Sequence, residues 1–159
     1  MKSMVERESI YDYVGGGDAF FALASALNDR CLADPVLNHP FSHPSHPQHL
    51  ERLAAYLGEV FGGPPGYSAL GGHSAMLELH AGTGADDDFA ARFLACFDLA
   101  VDDANFPDDP DLRRVLHDYM AWATSEVNDY SPVGVNAPTG LAMPRWSWDG
   151  PATPDTSSR

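Results

Sequence analysis

Histidine is the residue of this chain best suited to bind a metal or to move a proton, and the sequence has seven of them. His80 stands out because it ends a short apolar-faced helix that follows a Gly-Gly-Pro-Pro corner at residues 62–65. Met76 and Leu77 precede it on the apolar side. A buried histidine with satisfied hydrogen bonds is the ordinary interpretation of such a position. A histidine on a stiff helix over an apolar pocket can also present one imidazole to one metal centre.

The other histidines are weaker candidates. His49 is predicted in the first turn of an amphipathic helix, four residues before the inward Leu53, so it shares a face with core residues. His73 is interpreted as a cap or loop residue, and His117 as a mid-helix residue on a partly exposed face. Prolines separate the four histidines of residues 39–49, and no thiol or carboxylate completes a zinc ligand set, so a solvated loop is favoured for His39 and His43. These four are His39, His43, His46 and His49.

The elements that position these residues are predicted to be helices. Apolar residues recur at three- and four-residue spacing over residues 19–32, 47–61, 86–101 and 108–127. Asp18 is the predicted N-cap of the first of these, and Asp34-Pro35 begins a short helix. No segment alternates with a period of two over a useful length. The fold class is therefore predicted to be all-α, with six or seven helices of unequal length.

Length and composition limit the classes of function. The 159 residues suit one domain, which we place at residues 1–130, followed by an extended tail at 131–159 in which Trp146 and Trp148 can pin part of the chain to the body. The formal net charge is −14 without a basic stripe, which disfavours nucleic acid and anionic membranes as partners. No apolar run is long enough to span a bilayer and no apolar leader is present, so a cytoplasmic location is expected. Cys31 and Cys96 are predicted to be small core residues.

At these motifs the chain resembles a group II truncated haemoglobin of the actinobacterial type. The similarity can be followed from about Tyr11 to Leu99, and more loosely to about Tyr130. The motifs are Gly15-Gly16, Asp34-Pro-Val-Leu37, Phe41, Phe61-Gly-Gly-Pro-Pro-Gly-Tyr67-Ser, Gly72-His73, Met76-Leu-Glu-Leu-His80-Ala and Leu94-Ala-Cys96. The resemblance implies a truncated globin fold, in which two antiparallel helix pairs enclose haem b.

The resemblance also implies roles for individual residues. His80 corresponds to the proximal ligand of the haem iron, Phe41 to an aromatic on the haem face, and Leu53 to the apolar distal residue. Arg52 corresponds to the basic partner of a haem propionate. Further residues of the pocket wall are Phe20, Leu57, Phe61, Tyr67, Met76, Leu79 and Phe93.

This chain departs from the family pattern on the distal side. Asn28 stands where the family usually has a tyrosine, Phe93 where the second group usually has a tryptophan, and His49 where many members have a small residue. Asn28 and His49 can each donate a hydrogen bond to a bound dioxygen ligand. Two hypotheses follow: His49 is a distal donor, or His49 itself coordinates the iron in the unliganded state.

The resemblance predicts binding of dioxygen and other diatomic ligands, with nitric oxide dioxygenase or peroxidase-like activity and a reductase partner as open extensions. The oligomeric state is open between monomer and homodimer. Two alternatives remain at this point. One is a haem-free all-α sensor or interaction module with a degenerate pocket. The other is a zinc site on the His/Pro-rich segment, at His43 and His46.

Overall fold

The computed structural model describes residues 8–37, 48–80, 87–130, 134 and 140–151, without the side chains of residues 75 and 78–80. These ranges contain six α-helices, a single 3₁₀ turn and two short strands. The helices are α1 (Ile10–Val14), α2 (Gly17–Ala33), α3 (His49–Val60), α4 (Gly72–His80), α5 (Asp87–Asp103) and α6 (Pro110–Tyr130). The 3₁₀ turn is Ser68–Leu70, and the strands are β1 (Trp146–Ser147) and β2 (Gly150–Pro151). The all-α prediction is confirmed.

Helix α2 begins differently from the prediction. Its N-cap is Gly16 and not Asp18, which lies in the first turn of the helix. Gly15 ends α1 in the left-handed region with φ 117°, and Gly16 follows with φ 79°. Glycine tolerates these angles, so the pair reverses the chain directly from one helix into the next. The Asp18 carboxylate then stabilises the positive end of the helix dipole without capping it.

The core lies between α2, α3, α5 and α6. Helix α2 packs against α3 and α5, α5 packs against α6, and α4 packs against α6. Phe20 is fully buried and stacks between Tyr11 and Phe61, at centroid distances of 5.7 and 6.0 Å. Cys31 is also fully buried, and burial raises the pKa of its thiol to about 12. An uncharged thiol in the core agrees with the sequence-based prediction for Cys31.

The segment after α6 folds back onto the helical body. Strands β1 and β2 pair antiparallel, and Gly150, with φ 103°, closes the turn between them. Trp146 is buried and packs edge-on against Tyr119 of α6, with ring centroids 5.5 Å apart. The indole nitrogen of Trp148 donates a hydrogen bond of 2.9 Å to the carbonyl of Glu8. The two tail tryptophans therefore join α6 to the beginning of the described chain.

None of the helices in the described ranges combines the length and the apolar content needed to cross a bilayer.

The corner after α3 supplies a first prediction. A Cβ atom added at Gly63 would lie 2.5 Å from Cδ1 of Tyr11 and 2.8 Å from the carbonyl oxygen of Gly58. We expect Gly63→Ala to lower the free energy of unfolding by about 1–3 kcal/mol, because neither neighbour can move without disturbing the core. Urea denaturation measures the change.

Gly66→Ala is the matched control in the same corner. A Cβ atom at Gly66 would lie 3.6 Å from Cβ of Ala55, which is an ordinary contact. Its stability should stay within about 1 kcal/mol of the unsubstituted protein. Equal stabilities of the two variants would show that the corner relaxes around the added methyl group.

Candidate functional site

Helix α3 carries the predicted distal residues. His49 is its first residue and is partly buried, with its Nε2 atom closed off from solvent. Arg52 and Leu53 follow His49 by three and four residues, which is one helical turn. Both are partly buried, and Leu53 packs against the core. Leu57, one turn later, is buried within the core. The apolar side of α3 thus runs from a partly open N-terminal turn to a closed C-terminal turn.

Arg52 has an unusual environment for a cation. Its Nε atom is buried and has no hydrogen-bond partner within the described residues. Its positive charge acts on Tyr67, where it opposes the effect of burial, which raises the pKa of the phenol. A buried guanidinium nitrogen is costly unless it finds an acceptor. Arg52 therefore suits an anionic ligand group held close to Tyr67.

Glu59 holds the corner between α3 and α4, and the sequence analysis did not identify it. Its side chain is fully buried. Oε1 accepts hydrogen bonds from the backbone N–H groups of Tyr67 and Ser68, at 3.0 and 2.8 Å, and Oε2 accepts one from the Ser68 hydroxyl. Arg145 of the tail approaches Oε2 at 3.8 Å. The carboxylate thereby satisfies the N–H groups of the chain that leads into α4.

His73 corrects the sequence-based prediction of a cap or loop residue. It lies in the first turn of α4 and is only 3% exposed. Gly72, with φ 72°, begins the helix directly after the corner, so His73 falls within the helix. Its Nδ1 atom lies 2.7 Å from the Tyr56 hydroxyl and its Nε2 atom 2.8 Å from Oε1 of Glu126. His73 therefore ties α4 to α3 and to α6.

One stripe of α4 faces these neighbours. Positions 73, 76, 77 and 80 follow the three- and four-residue spacing of a single helical face. Met76 is partly buried and packs against the core, and Leu77 is fully buried. His80 is the last residue of the helix, and the side chains of Leu79 and His80 lie outside the described part. Position 80 thus belongs to the stripe whose first member, His73, contacts α3 and α6.

The remaining predicted residues lie on other helices or outside the described ranges. Phe93 of α5 is partly buried and packs against the core, while Asn28 of α2 is partly buried. Phe61 and Tyr67 are buried in the core. Phe41 lies outside the described residues, as do the histidines of the zinc hypothesis, His43 and His46. His117 is exposed, and its Nδ1 atom lies 2.8 Å from Asp98.

The structure brings Leu53, Met76 and Phe93 to the margin of one core from three different helices. All three are partly buried, whereas their helices continue into fully buried residues such as Leu57, Leu77 and Phe97. Within the described ranges, α3 pairs closely with α2, and neither α4 nor α5 is a close partner of α3. Each of these three helices therefore carries an apolar residue at the margin of the core that is less buried than its neighbours in the same helix.

The chain is similar to a known protein family and to solved structures. Residues 9–125 match the bacterial-like globin family. The thermostable hemoglobin of the actinobacterium Thermobifida fusca is 30% identical, with a TM-score of 0.63 over 82% of this chain and 99% of that one. The hemoglobin of Chloroflexus aurantiacus is 26% identical, with a TM-score of 0.66 over 76% of this chain and 98% of that one.

The chain belongs to the bacterial-like globin family and is therefore a haem-binding globin. Its fold is that of the group II truncated haemoglobins. The example from Bacillus anthracis has a TM-score of 0.67 over 86% of this chain and 98% of that one, and at 19% identity this likeness concerns the fold. The predicted family and the predicted truncated globin fold are both confirmed.

The buried carboxylate gives a prediction about the frame of the site. Glu59→Ala would leave the N–H groups of Tyr67 and Ser68 without their acceptor. We expect the free energy of unfolding to fall by roughly 2–4 kcal/mol, since each unsatisfied buried donor costs about 1–3 kcal/mol. Chemical denaturation gives the value.

Glu51→Ala serves as the control, because Glu51 is an exposed residue of the same helix. Its substitution should change stability by less than about 0.5 kcal/mol. If Glu59→Ala were as stable as Glu51→Ala, the carboxylate would not be what holds the corner.

Proposed function

We propose that this globin binds one haem b between α3, α4 and α5, with His80 as the proximal ligand of the iron. When bound, the haem would supply an iron that takes dioxygen and other diatomic ligands and exchanges electrons. The protein would supply the proximal ligand, the apolar walls, the charge partner and the hydrogen-bond donors.

The observation that carries the proposal is the place of residue 80. It is the final residue of a helix anchored at its other end by two hydrogen bonds of His73, and positions 73 and 80 are two turns apart on one stripe. A haem ligand must be held at a constant distance from the opposite wall. A short helix tied to both α3 and α6 is suited to that task.

The other residues fit the needs of a haem. Leu53, Met76 and Phe93 offer carbon contacts from three helices, and burial of such surface is what chiefly holds a porphyrin. Arg52 offers the buried Nε atom to which a propionate can bind. Leu79 and Phe41 are proposed as further contacts on the resemblance alone, and Leu57, Phe61 and Tyr67 as the buried layer behind the walls.

The distal chemistry is proposed for His49 and Asn28. The His49 imidazole begins α3, and its Nε2 atom is shielded from solvent, so a hydrogen bond from it would not compete with bulk water. Asn28 lies on α2, which packs directly against α3. A donor of either type that bonds a partly anionic ligand contributes about 1.5–3 kcal/mol, or one to two decades in affinity.

We further propose that the protein acts in the cytoplasm on dioxygen, nitric oxide or peroxide, as a monomer or homodimer. A redox cycle of this kind requires a reductase, and the net charge of −14 suits one with a basic docking face.

Haem titration tests the proximal assignment. We expect the purified chain to bind haem with a Soret band, and His80→Ala to bind it at least about a hundredfold more weakly, which corresponds to about 2.8 kcal/mol. His117→Ala is the matched control, because His117 is an exposed histidine paired with Asp98. Unchanged affinity and spectrum in His80→Ala would exclude His80 as the ligand.

The ferric absorption spectrum separates the two roles of His49. As a hydrogen-bond donor, it leaves the ferric protein high-spin, and His49→Ala speeds oxygen release by about ten- to a hundredfold. As an iron ligand, it gives a low-spin spectrum that His49→Ala converts to high-spin. Oxygen release that is unchanged in His49→Ala, together with an unchanged ferric spectrum, would leave His49 without either role.

A further inference from the structure

A second polar cluster, formed by Tyr56, His73 and Glu126, joins three helices inside the protein. Tyr56 comes from α3, His73 from α4 and Glu126 from α6. The Tyr56 hydroxyl lies 2.7 Å from Nδ1 of His73, and Nε2 of His73 lies 2.8 Å from the Glu126 carboxylate. Tyr56 is 5% exposed and His73 is 3% exposed. Neither Tyr56 nor Glu126 has a role in the proposed haem site.

The direction of each hydrogen bond follows from the chemistry of the partners. An ionised carboxylate only accepts, so Nε2–H of His73 donates to Glu126. In the neutral imidazole the other nitrogen is then an acceptor, so the Tyr56 phenol donates to Nδ1. The buried Tyr56 phenol therefore donates to one nitrogen of His73, and the other nitrogen donates to the Glu126 carboxylate.

This geometry favours one reaction of the phenol over another. Burial raises the pKa of Tyr56 far above its usual range, so the phenolate does not form by simple deprotonation. Loss of an electron changes this, because an oxidised phenol is a strong acid. The proton then has an acceptor within hydrogen-bond distance at His73, and the charge of the imidazolium is offset by Glu126.

Aromatic rings connect this phenol to the surface. Trp122 of α6 stacks on the imidazole of His73, with centroids 6.2 Å apart and planes 18° apart. The same indole is 38% exposed and lies 6.1 Å from the ring of Tyr119. Because the ring of Tyr56 lies 6.1 Å from the imidazole of His73, the rings form a continuous series from solvent to the buried phenol.

We propose that Tyr56 is a redox-active tyrosine, with His73 and Glu126 as its proton-accepting pair and Trp122 as its electronic connection to the surface. In the forward step Tyr56 gives one electron to a one-electron oxidant, its O–H bond breaks, and an N–H bond forms at Nδ1 of His73. In the return step a one-electron reductant restores the phenol, and the same proton moves back. No atom leaves the protein in the cycle.

The oxidant is any strong one-electron acceptor that reaches Trp122 or the core. A haem oxidised by peroxide belongs to this class, and only that source rests on the proposed function. The cluster of Tyr56, His73 and Glu126 would let the protein hold one oxidising equivalent. A reductant could then remove it at the surface, through Trp122.

Photo-oxidation of the full chain tests the proposal without requiring haem. The protein as purified, with its haem content recorded, is illuminated with a ruthenium polypyridyl complex and persulfate, then frozen for electron paramagnetic resonance. We expect a neutral tyrosyl radical, identified by the narrowing of its signal in protein made with ring-deuterated tyrosine. Most of this signal should be lost in Tyr56→Phe.

Tyr13→Phe is the matched control, because the Tyr13 hydroxyl bonds a carboxylate, Asp109, at 2.9 Å and not an imidazole. It should retain the signal. Glu126→Gln keeps an acceptor for Nε2–H but removes the charge, and should shorten the lifetime of the radical. A contact that merely holds three helices together would not affect that lifetime.

A tyrosyl signal that survives in Tyr56→Phe would overturn the assignment, and still more clearly if Tyr119→Phe abolished it. A radical found only on tryptophan would overturn it as well. The haem proposal fails by a different observation, the lack of a Soret band. Absence of haem would leave the photochemical result fully interpretable.

Discussion

The structure depends on one buried carboxylate at the corner between α3 and α4. The chain must reverse after α3 and still place α4 at a fixed position relative to α3. Glycines and prolines make the reversal sterically possible, but they leave backbone N–H groups without partners. Glu59 accepts two of these groups and the Ser68 hydroxyl, so the segment that leads into α4 is held to the end of α3 itself. The place of position 80 is set by this corner and by the His73 contacts that follow it.

The anchoring contacts of α4 are unevenly distributed along the helix. Its first turn is held by His73, while within the described ranges α3 is not among the close helix partners of α4. The two hydrogen bonds of His73 run to different helices, so they fix the first turn of α4 relative to both α3 and α6. The place of the last residue of α4 then follows from the course of the helix.

The sequence predicted the helices well because their periodicity is strong. The prediction of 47–61 for α3 corresponds to the observed His49–Val60, and that of 86–101 for α5 to Asp87–Asp103. The corner was predictable too, because paired glycines and prolines end a helix for local steric reasons. The family followed from the combination of this corner with a histidine thirteen residues after Tyr67. Each of these signals lies within a short stretch of chain.

The polar contacts were not predictable, because their partners are far apart in sequence. His73 was interpreted as a cap or loop residue, since nothing near it indicates that Glu126, 53 residues later, lies within hydrogen-bond distance. Glu59 looks like an ordinary helix-surface glutamate until the fold places the N–H groups of Tyr67 and Ser68 above it. Local patterns report which face of a helix is apolar, whereas buried polar residues are specified by tertiary contacts.

The acidic composition makes the buried Glu59 and the partly buried Glu126 informative. Most of the 23 acidic residues can remain in water, where their carboxylates keep their hydration. Glu59 and Glu126 enter the structure only where N–H groups meet them, from the backbone in one case and from an imidazole in the other. The tail supports both places, since Arg145 approaches Glu59 at 3.8 Å and Trp146 packs against Trp122 beside His73. The segment after α6 is thus part of the frame around α4, because it contacts the surroundings of both polar ties and adds Trp146 to the buried core.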